Sequence, residues 1–383
     1  MQPAIALAVA LACLGACGRE APLAARAEAA AIDMALGRGA RFLASRQRAD
    51  GAIPSRTYAA LKDGWSLTPL AVLALRMAPQ DDATASAYRR GVDYVATLAG
   101  PDGAIREAPE VSYPLYAYAI GALVLGAPDN RRHRPVHARL LAALRGLQLA
   151  ERTGWRPADP SYGGWGYATR PPLRTSGDLD ESDLAGNLSA TLLAVGALVL
   201  GGVPLTDPAL AAARGFVERC QNLDTDGGFF FSPTLAVGNK AGALAEGRYR
   251  SYGSMTADGL RALLRLGRPP SDPRVAAAAA WLERNFDAAR NPGEFPPLDE
   301  PRRESSYYYW SWSAAHAARH LASRRWAEAL AGELLSRQAP DGSWRNPASE
   351  MREDDPIIAT SFAIAALAVS RSVIAAEPRS HAY

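Results

Sequence analysis

The sequence predicts an all-α protein, an (α/α)6 toroid of six helical hairpins, on three observations. Glycine turns recur along the chain at roughly 50 to 65 residues, the spacing of helical arrays. Each turn follows an amphipathic helix and precedes, after a loop, a more apolar one. No stretch of useful length alternates apolar and polar residues as a strand would, outside short loops. A hairpin cannot bury both apolar faces alone, so hairpins must stack. The second helix of each pair is rich in Ala and Gly and suits a crowded inner ring. The first carries more Arg, Asp and Glu and suits an outer ring.

The turns align as Asp50-Gly51, Asp102-Gly103, Gly163-Gly164-Trp165, Asp226-Gly227-Gly228, Pro292-Gly293 and Asp341-Gly342-Ser343-Trp344. Aromatic-aliphatic pairs precede most of them: Phe42-Leu43, Tyr94-Val95, Phe216-Val217 and Trp281-Leu282. The second helices start near Ser66, Tyr116, Ser189, Ser254, Ser313 and Thr360. From Ser254, the residues Met255, Gly259, Ala262, Leu263 and Leu266 fall on one helical face. The long inserts lie between a turn and its second helix, so closure gathers them at one mouth. Function is expected on such loops.

The run Arg38-Gly39 through Phe42-Leu43, Gln47 and Gly51 resembles the QW motif of squalene-hopene and oxidosqualene cyclases, with Ile53 in the Trp place. Gln338, Gly342 and Trp344 complete the Gln-x-x-x-Gly-x-Trp half. Arg90-Gly91 and Tyr94-Val95 repeat the first half, with Ala99 replacing Gln. The resemblance spans residues 35 to 370 and implies the toroid of terpenoid cyclases and protein prenyltransferases. It also implies that the Gln ties an outer helix to an inner-helix start, a structural role. The prenyltransferase zinc set needs an Asp-x-Cys pair, which this sequence lacks, so no metal or cofactor is expected.

The net charge of +3, with both signs mixed throughout, gives no footprint for nucleic acid. Residues 3–16 form a short apolar run at the N-terminus, as a signal segment does. Leu14-Gly15-Ala16-Cys17 resembles a bacterial lipobox, with the Cys17 thiol as the lipidation site. The expected organisation is a signal peptide over 1–16, a lipidated tether over 17–32, the toroid over 33–371 and a disordered tail over 372–383. The expected location is the bacterial cell envelope, lipid-anchored at the outer membrane and facing the periplasm. Cys220 alone remains for the toroid, where it reads as a small buried residue.

Asp178, Asp180, Glu181 and Asp183 form the sharpest acidic cluster. It resembles the Asp-x-Asp-Asp acid of class II terpene cyclases, which implies Asp180 as proton donor with Asp178 and Glu181 as partners. Neighbouring carboxylates raise one another's pKa and so hold a proton. The plain alternative is a solvated cap complementing a helix dipole. Aromatic residues near the mouth suit an apolar lipid or isoprenoid ligand: Trp65, Tyr116, Trp165, Tyr252, Tyr308 and Trp312, with His316 beside Trp312. His316 and His320 stand at i and i+4, as zinc ligands can, but no carboxylate or Cys completes the set. A non-catalytic binding lipoprotein would use the same mouth. A glycan-active (α/α)6 enzyme would need two opposed carboxylates, one from Asp178–Asp183 and one from Glu350, Asp354 or Asp355.

Overall fold

The computed structural model describes residues 23–100, 102, 104–107, 111–175, 181–245 and 247–376. Among the described residues, twelve long helices alternate between two rings. The outer ring holds α1 (Leu23–Ser45), α3 (Asp82–Ala96), α5 (Arg134–Gly146), α7 (Pro208–Arg219), α9 (Pro273–Asn285) and α11 (Arg324–Ser336). The inner ring holds α2 (Thr68–Met77), α4 (Pro114–Leu125), α6 (Leu188–Leu200), α8 (Gly253–Arg265), α10 (Tyr307–His320) and α12 (Pro356–Ala375). Each inner helix packs on the next, and α12 packs back on α2, so the ring closes. Among the described residues the only sheet is a hairpin of Ala243–Ala245 with Arg248–Tyr249.

A repeated joint explains why the turns need their residues. In the first repeat the Gln47 Nε2 donates to the Gly51 and Ala87 carbonyls at 3.0 and 2.9 Å. Gln148, Gln221 and Gln338 make the same pair of bonds in repeats three, four and six. The second acceptor always lies on the following outer helix. The glutamine therefore links outer helix to outer helix, not outer to inner as the resemblance implied. Gln338 reaches Ala35 of α1 at 2.9 Å and fastens the last repeat to the first. Gly342 sits at φ 87°, and a Cβ there would lie 2.7 Å from the Arg38 carbonyl oxygen, so only glycine fits.

A threonine completes the joint on the inner side. Thr68, Thr191, Thr256 and Thr360 each accept the N–H of the residue two places after a turn glycine: Ile53, Trp165, Phe229 and Trp344, at 2.8 to 3.1 Å. The indoles of Trp165 and Trp344 then donate to Leu144 and Leu334 carbonyls, both at 2.7 Å. These four N–H groups are buried and would otherwise lack a partner.

Two boundaries differ from expectation. Helix α1 begins at Leu23, inside the stretch assigned to a tether, because Ile32 is fully buried against the ring and holds the helix down. Helix α12 continues to Ala375, past the expected end at 371, with Val373 and Ile374 buried. It is long and apolar enough to cross a membrane, yet it packs against α1, α2, α10 and α11. Cys17, the expected signal peptide over 1–16 and residues 377–383 of the expected tail lie outside the described residues. Cys220 is buried, and burial pushes its thiol well up.

Candidate functional site

The first two turns of α2, α4, α6, α10 and α12 converge on a central cavity of about 360 Å³. Leu67 capping α2, Leu70 of α2, Ile120 of α4, Leu193 of α6 and Ile358 of α12 give it an aliphatic wall. Tyr116, Tyr309, Trp312 and Phe362 give it an aromatic one, and Tyr113, Tyr167 and the segment Glu350-Met351-Arg352 bound it from the loops. The loops of repeats one, two, three and six thus meet at one mouth, as the topology predicts.

The aromatic side chains lock one another in place. Tyr116 stacks on Tyr167 at 6.1 Å between ring centroids. Tyr309 meets Phe362 edge-on at 5.5 Å and Trp312 at 5.7 Å, and Trp312 lies 5.4 Å from Phe362. Two rim residues adopt left-handed backbone, Tyr113 at φ 53° and Arg352 at φ 60°. The Arg352 guanidinium lies over the Tyr113 ring at 5.2 Å and over the Tyr58 ring at 5.3 Å. Such strain persists only where the surroundings impose it, and it gathers at ligand sites.

Behind this wall lies a polar cluster. Asp258 is fully buried on α8. It accepts hydrogen bonds from the Tyr309 hydroxyl at 2.6 Å, the Ser313 hydroxyl at 2.7 Å and Arg261 Nη1 at 3.1 Å. Burial pushes the Asp258 carboxyl up, and Arg261, Tyr309 and Ser313 pull it back only in part. Burial and then Asp258 hold the Tyr309 hydroxyl well above its usual range, so it stays a donor. Arg261 lies over the Trp312 ring at 4.8 Å.

Glu353, 1% exposed, positions Tyr309 from the other side. It accepts the N–H groups of Tyr308 and Tyr309 at 2.8 and 2.7 Å, capping α10, and Asn346 Nδ2 at 3.0 Å. A carboxylate there complements the helix dipole. Burial still outweighs those donors and pushes its carboxyl up to about 7.

Of the seven residues proposed as ligand contacts, Tyr116 and Trp312 line the cavity. His316 stands behind Trp312, edge-on at 5.7 Å, with Nδ1 3.2 Å from Arg319. Trp65 lies off the cavity: it stacks on Tyr94 at 5.9 Å and donates to Thr97 at 2.9 Å. Trp165, Tyr252 and Tyr308 are corrected to wall residues. Trp165 is fully buried on the Leu144 carbonyl, Tyr252 packs on Phe295 at 5.7 Å, and Tyr308 is buried with its hydroxyl 3.3 Å from the Arg345 carbonyl. Burial and the neighbouring arginines drive the His316 and His320 rings towards the neutral form, His320 to about 4. Those arginines oppose a metal cation, and no group of metal-ligating side chains occurs among the described residues.

Asp178 and Asp180 lie outside the described residues, as does the side chain of Glu181. Asp183 is half-buried on the short helix Glu181–Leu184 ahead of α6, with no hydrogen bond or ion pair from its carboxylate to a described residue. Asp354 accepts the Tyr58 hydroxyl at 2.5 Å. Asp355 caps α12 through the Ile357 N–H at 2.8 Å and also accepts the Ser55 hydroxyl. Among the described cavity-lining residues Glu350, exposed at the rim, is the one carboxylate. Asp258, Arg261 and Glu353 were not expected from the sequence, and Tyr309, an aromatic residue expected near the mouth, faces the cavity where Tyr308 was the expected contact.

Comparison of the sequence with protein-family models and with curated proteins gives no match. Solved structures do match. The type II terpene cyclase MstE from Scytonema, in complex with geranylgeranyl dihydroxybenzoate as substrate, superposes with a TM-score of 0.57 at 14% identity, over 91% of this chain and 99% of that one. The GH76A α-1,6-mannanase from Salegentibacter sp. HEL1_6 superposes with a TM-score of 0.57 at 9% identity, over 90% and 99%. A protein from Actinoplanes gives 0.53 at 19% identity, over 89% and 99%. The chain has a terpenoid-cyclase-like (α/α)6 toroid fold. Shared fold at such identity does not carry an activity across.

Proposed function

We propose that the central cavity holds an apolar, isoprenoid-like ligand. The observation that carries this reading is the lining. Aliphatic and aromatic side chains enclose the space, and tyrosine hydroxyls supply a few polar contacts, as in small-molecule sites of roughly 300–1,000 Å³. The aromatic faces of Tyr116, Tyr309, Trp312 and Phe362 also suit a carbocation, by cation–π attraction in a dry space. The finer reading is cyclisation. A carboxylic acid gives its proton to one carbon of a terminal alkene, the other carbon becomes the cation, and an internal double bond attacks it. Loss of a proton then ends the sequence. Asp180 is the proposed donor, with Asp178 and Glu181 as partners.

Mass spectrometry of lipid that copurifies with the intact protein tests the ligand; a protein free of apolar lipid, and unable to take up geranylgeraniol, sinks it. Incubation of wild type and Asp180→Asn with polyprenyl substrates tests the acid, and identical product profiles reject it. A stable complex without turnover in the wild type would make the protein a binding lipoprotein. The glycan reading is less well supported, because Asp354 and Asp355 are already engaged and Glu350 has no opposed carboxylate among the described cavity residues. We also propose lipidation at Cys17 and attachment to the cell envelope; a Cys17→Ser variant that still partitions with membranes would exclude it.

A further inference from the structure

The end of the bore opposite the loops carries charge that nothing described neutralises. Asp258, Arg261 and Arg265 share one face of α8, and Arg319, with His316 and His320, comes from the second half of α10. Arg261 is 1% exposed; its Nη1 bonds Asp258, and its Nε is buried without a hydrogen-bond partner. Arg265 has no hydrogen-bond or ion-pair partner among the described residues. Its guanidinium lies against Gly196 of α6, where a Cβ would be 2.6 Å from Nη1. A glycine inside a helix costs about 1 kcal/mol against alanine, and here it makes room for that head group. Arg319 has one hydrogen-bond contact among the described residues, His316 at 3.2 Å, and is exposed towards the far opening.

Three guanidiniums therefore face one carboxylate. Both histidines are held neutral by burial and by the arginines. Burial and its like-charged neighbours lower Arg265 to about 9, so it keeps its charge at neutral pH. Some part-buried arginines elsewhere meet carboxylates, as Arg145 meets Asp207 and Arg268 meets Glu218 and Asp272, while Arg46 and Arg214 also keep a buried Nε without a hydrogen-bond partner. Buried charges are expected to be paired. The C-terminal dipoles of the inner helices favour cations here. They give Arg265 no acceptor, however, and Arg261 lies a turn further in.

We propose that Arg261, Arg265 and Arg319 form a binding site for a phosphate-type oxyanion, entering from the end of the bore away from the loops. Planar guanidinium forks match tetrahedral oxyanions in pairs of hydrogen bonds. A phosphoryl group carries about −1.5 to −2 at pH 7, which balances the local excess. The site stands apart from the apolar cavity, with Trp312 and Asp258 between, and does not depend on that reading.

The test is calorimetric titration of the full chain at pH 7.5 and fixed ionic strength, with inorganic phosphate in one arm and butyl phosphate in the other. Wild type is expected to bind, and Arg265→Gln to lose at least tenfold in affinity. Arg145→Gln, remote from the cluster, should bind as wild type does. Tighter binding of butyl phosphate by tenfold or more would assign the site to a phosphate ester head group; equal or weaker binding would assign it to free phosphate. If Arg265→Gln does not fold, Arg265→Lys replaces it, keeping the charge and losing the fork. Absence of heat with both probes, or binding unchanged in the Arg265 variant, overturns the proposal.

Discussion

Replacing Asp258 with asparagine tests whether the polar cluster is as dry as its geometry implies. Asp258 is fully buried and Arg261 is 1% exposed. The amide keeps an acceptor for Tyr309 or Ser313 but removes the only carboxylate paired with Arg261 among the described residues. A buried ion that loses its partner costs about 3–5 kcal/mol. That is a large share of the roughly 5–15 kcal/mol that holds a domain together. Substituting Arg261→Met as well removes the stranded charge and should return part of the loss, because contacting residues couple by about 0.5–3 kcal/mol. Asp258→Asn is therefore expected to lower the urea midpoint sharply, and Asp258→Asn/Arg261→Met to lie above it. Urea unfolding followed by far-UV circular dichroism, at constant m, reads both. A loss below about 1 kcal/mol, the range of exposed ion pairs, or strictly additive single variants, would mean that water reaches the pair.

Three further outcomes are expected. Thr256→Val strands the buried Phe229 N–H and should cost about 1–3 kcal/mol in the same unfolding assay, with Thr68, Thr191 and Thr360 behaving alike. Ile120→Trp fills the cavity, costs about 1–3 kcal/mol through overpacking, and should strip copurifying lipid, read as lipid mass per protein. The folded protein holds a proton on Glu353 up to about pH 7, whereas the unfolded chain releases it near the usual 4.5. The native state thus binds more protons in that interval, and the stabilisation present at low pH is lost as pH rises through 7. His316 and His320 tilt the curve the other way below about 6.5, so the check is the difference between wild type and Glu353→Gln. The variant should lack the fall between pH 5 and 7.5, and parallel curves would remove the argument.

The toroid was legible because its signals are local. Glycines at φ > 0, the glutamines Gln47 and Gln338 four residues before theirs, and small apolar second helices are each visible in a short window. The repeat adds them up, although the glutamine's true partner on the next outer helix was not visible. The site was less legible because successive helical residues point about 100° apart. Tyr308 and Tyr309 are neighbours, yet Tyr308 is buried in the wall and Tyr309 faces the cavity. Sequence alone cannot choose between them without knowing which face of α10 meets α12. Trp165, just after a turn, and Tyr252, at the start of α8, misled for the same reason: an aromatic residue there can point between helices as readily as into the bore. The Asp258, Arg261, Arg265 set did leave a signal. These polar residues sit at i, i+3 and i+7, about 110° round the helix from the apolar stripe of Met255, Gly259, Ala262, Leu263 and Leu266. That stripe packs outward in the walls, which leaves the polar face to the bore.

The two ends of the bore differ because helix direction and side-chain charge act together. All inner helices point the same way, so their N-termini ring the loop mouth and their C-termini the far opening. A carboxylate at the mouth end, Glu353 capping α10, and arginines at the far end, Arg265 and Arg319, both complement those dipoles. Dipole compensation alone would therefore explain a cation at position 265 without any ligand. The two explanations separate on chemistry. A dipole needs charge only, so Arg265→Lys should keep the stability of the wild type in phosphate-free buffer. An oxyanion site needs the planar fork, so the same variant should lose much of its phosphate affinity. Retained stability with lost affinity favours a ligand site, whereas equal retention of both returns Arg265 to a purely structural role.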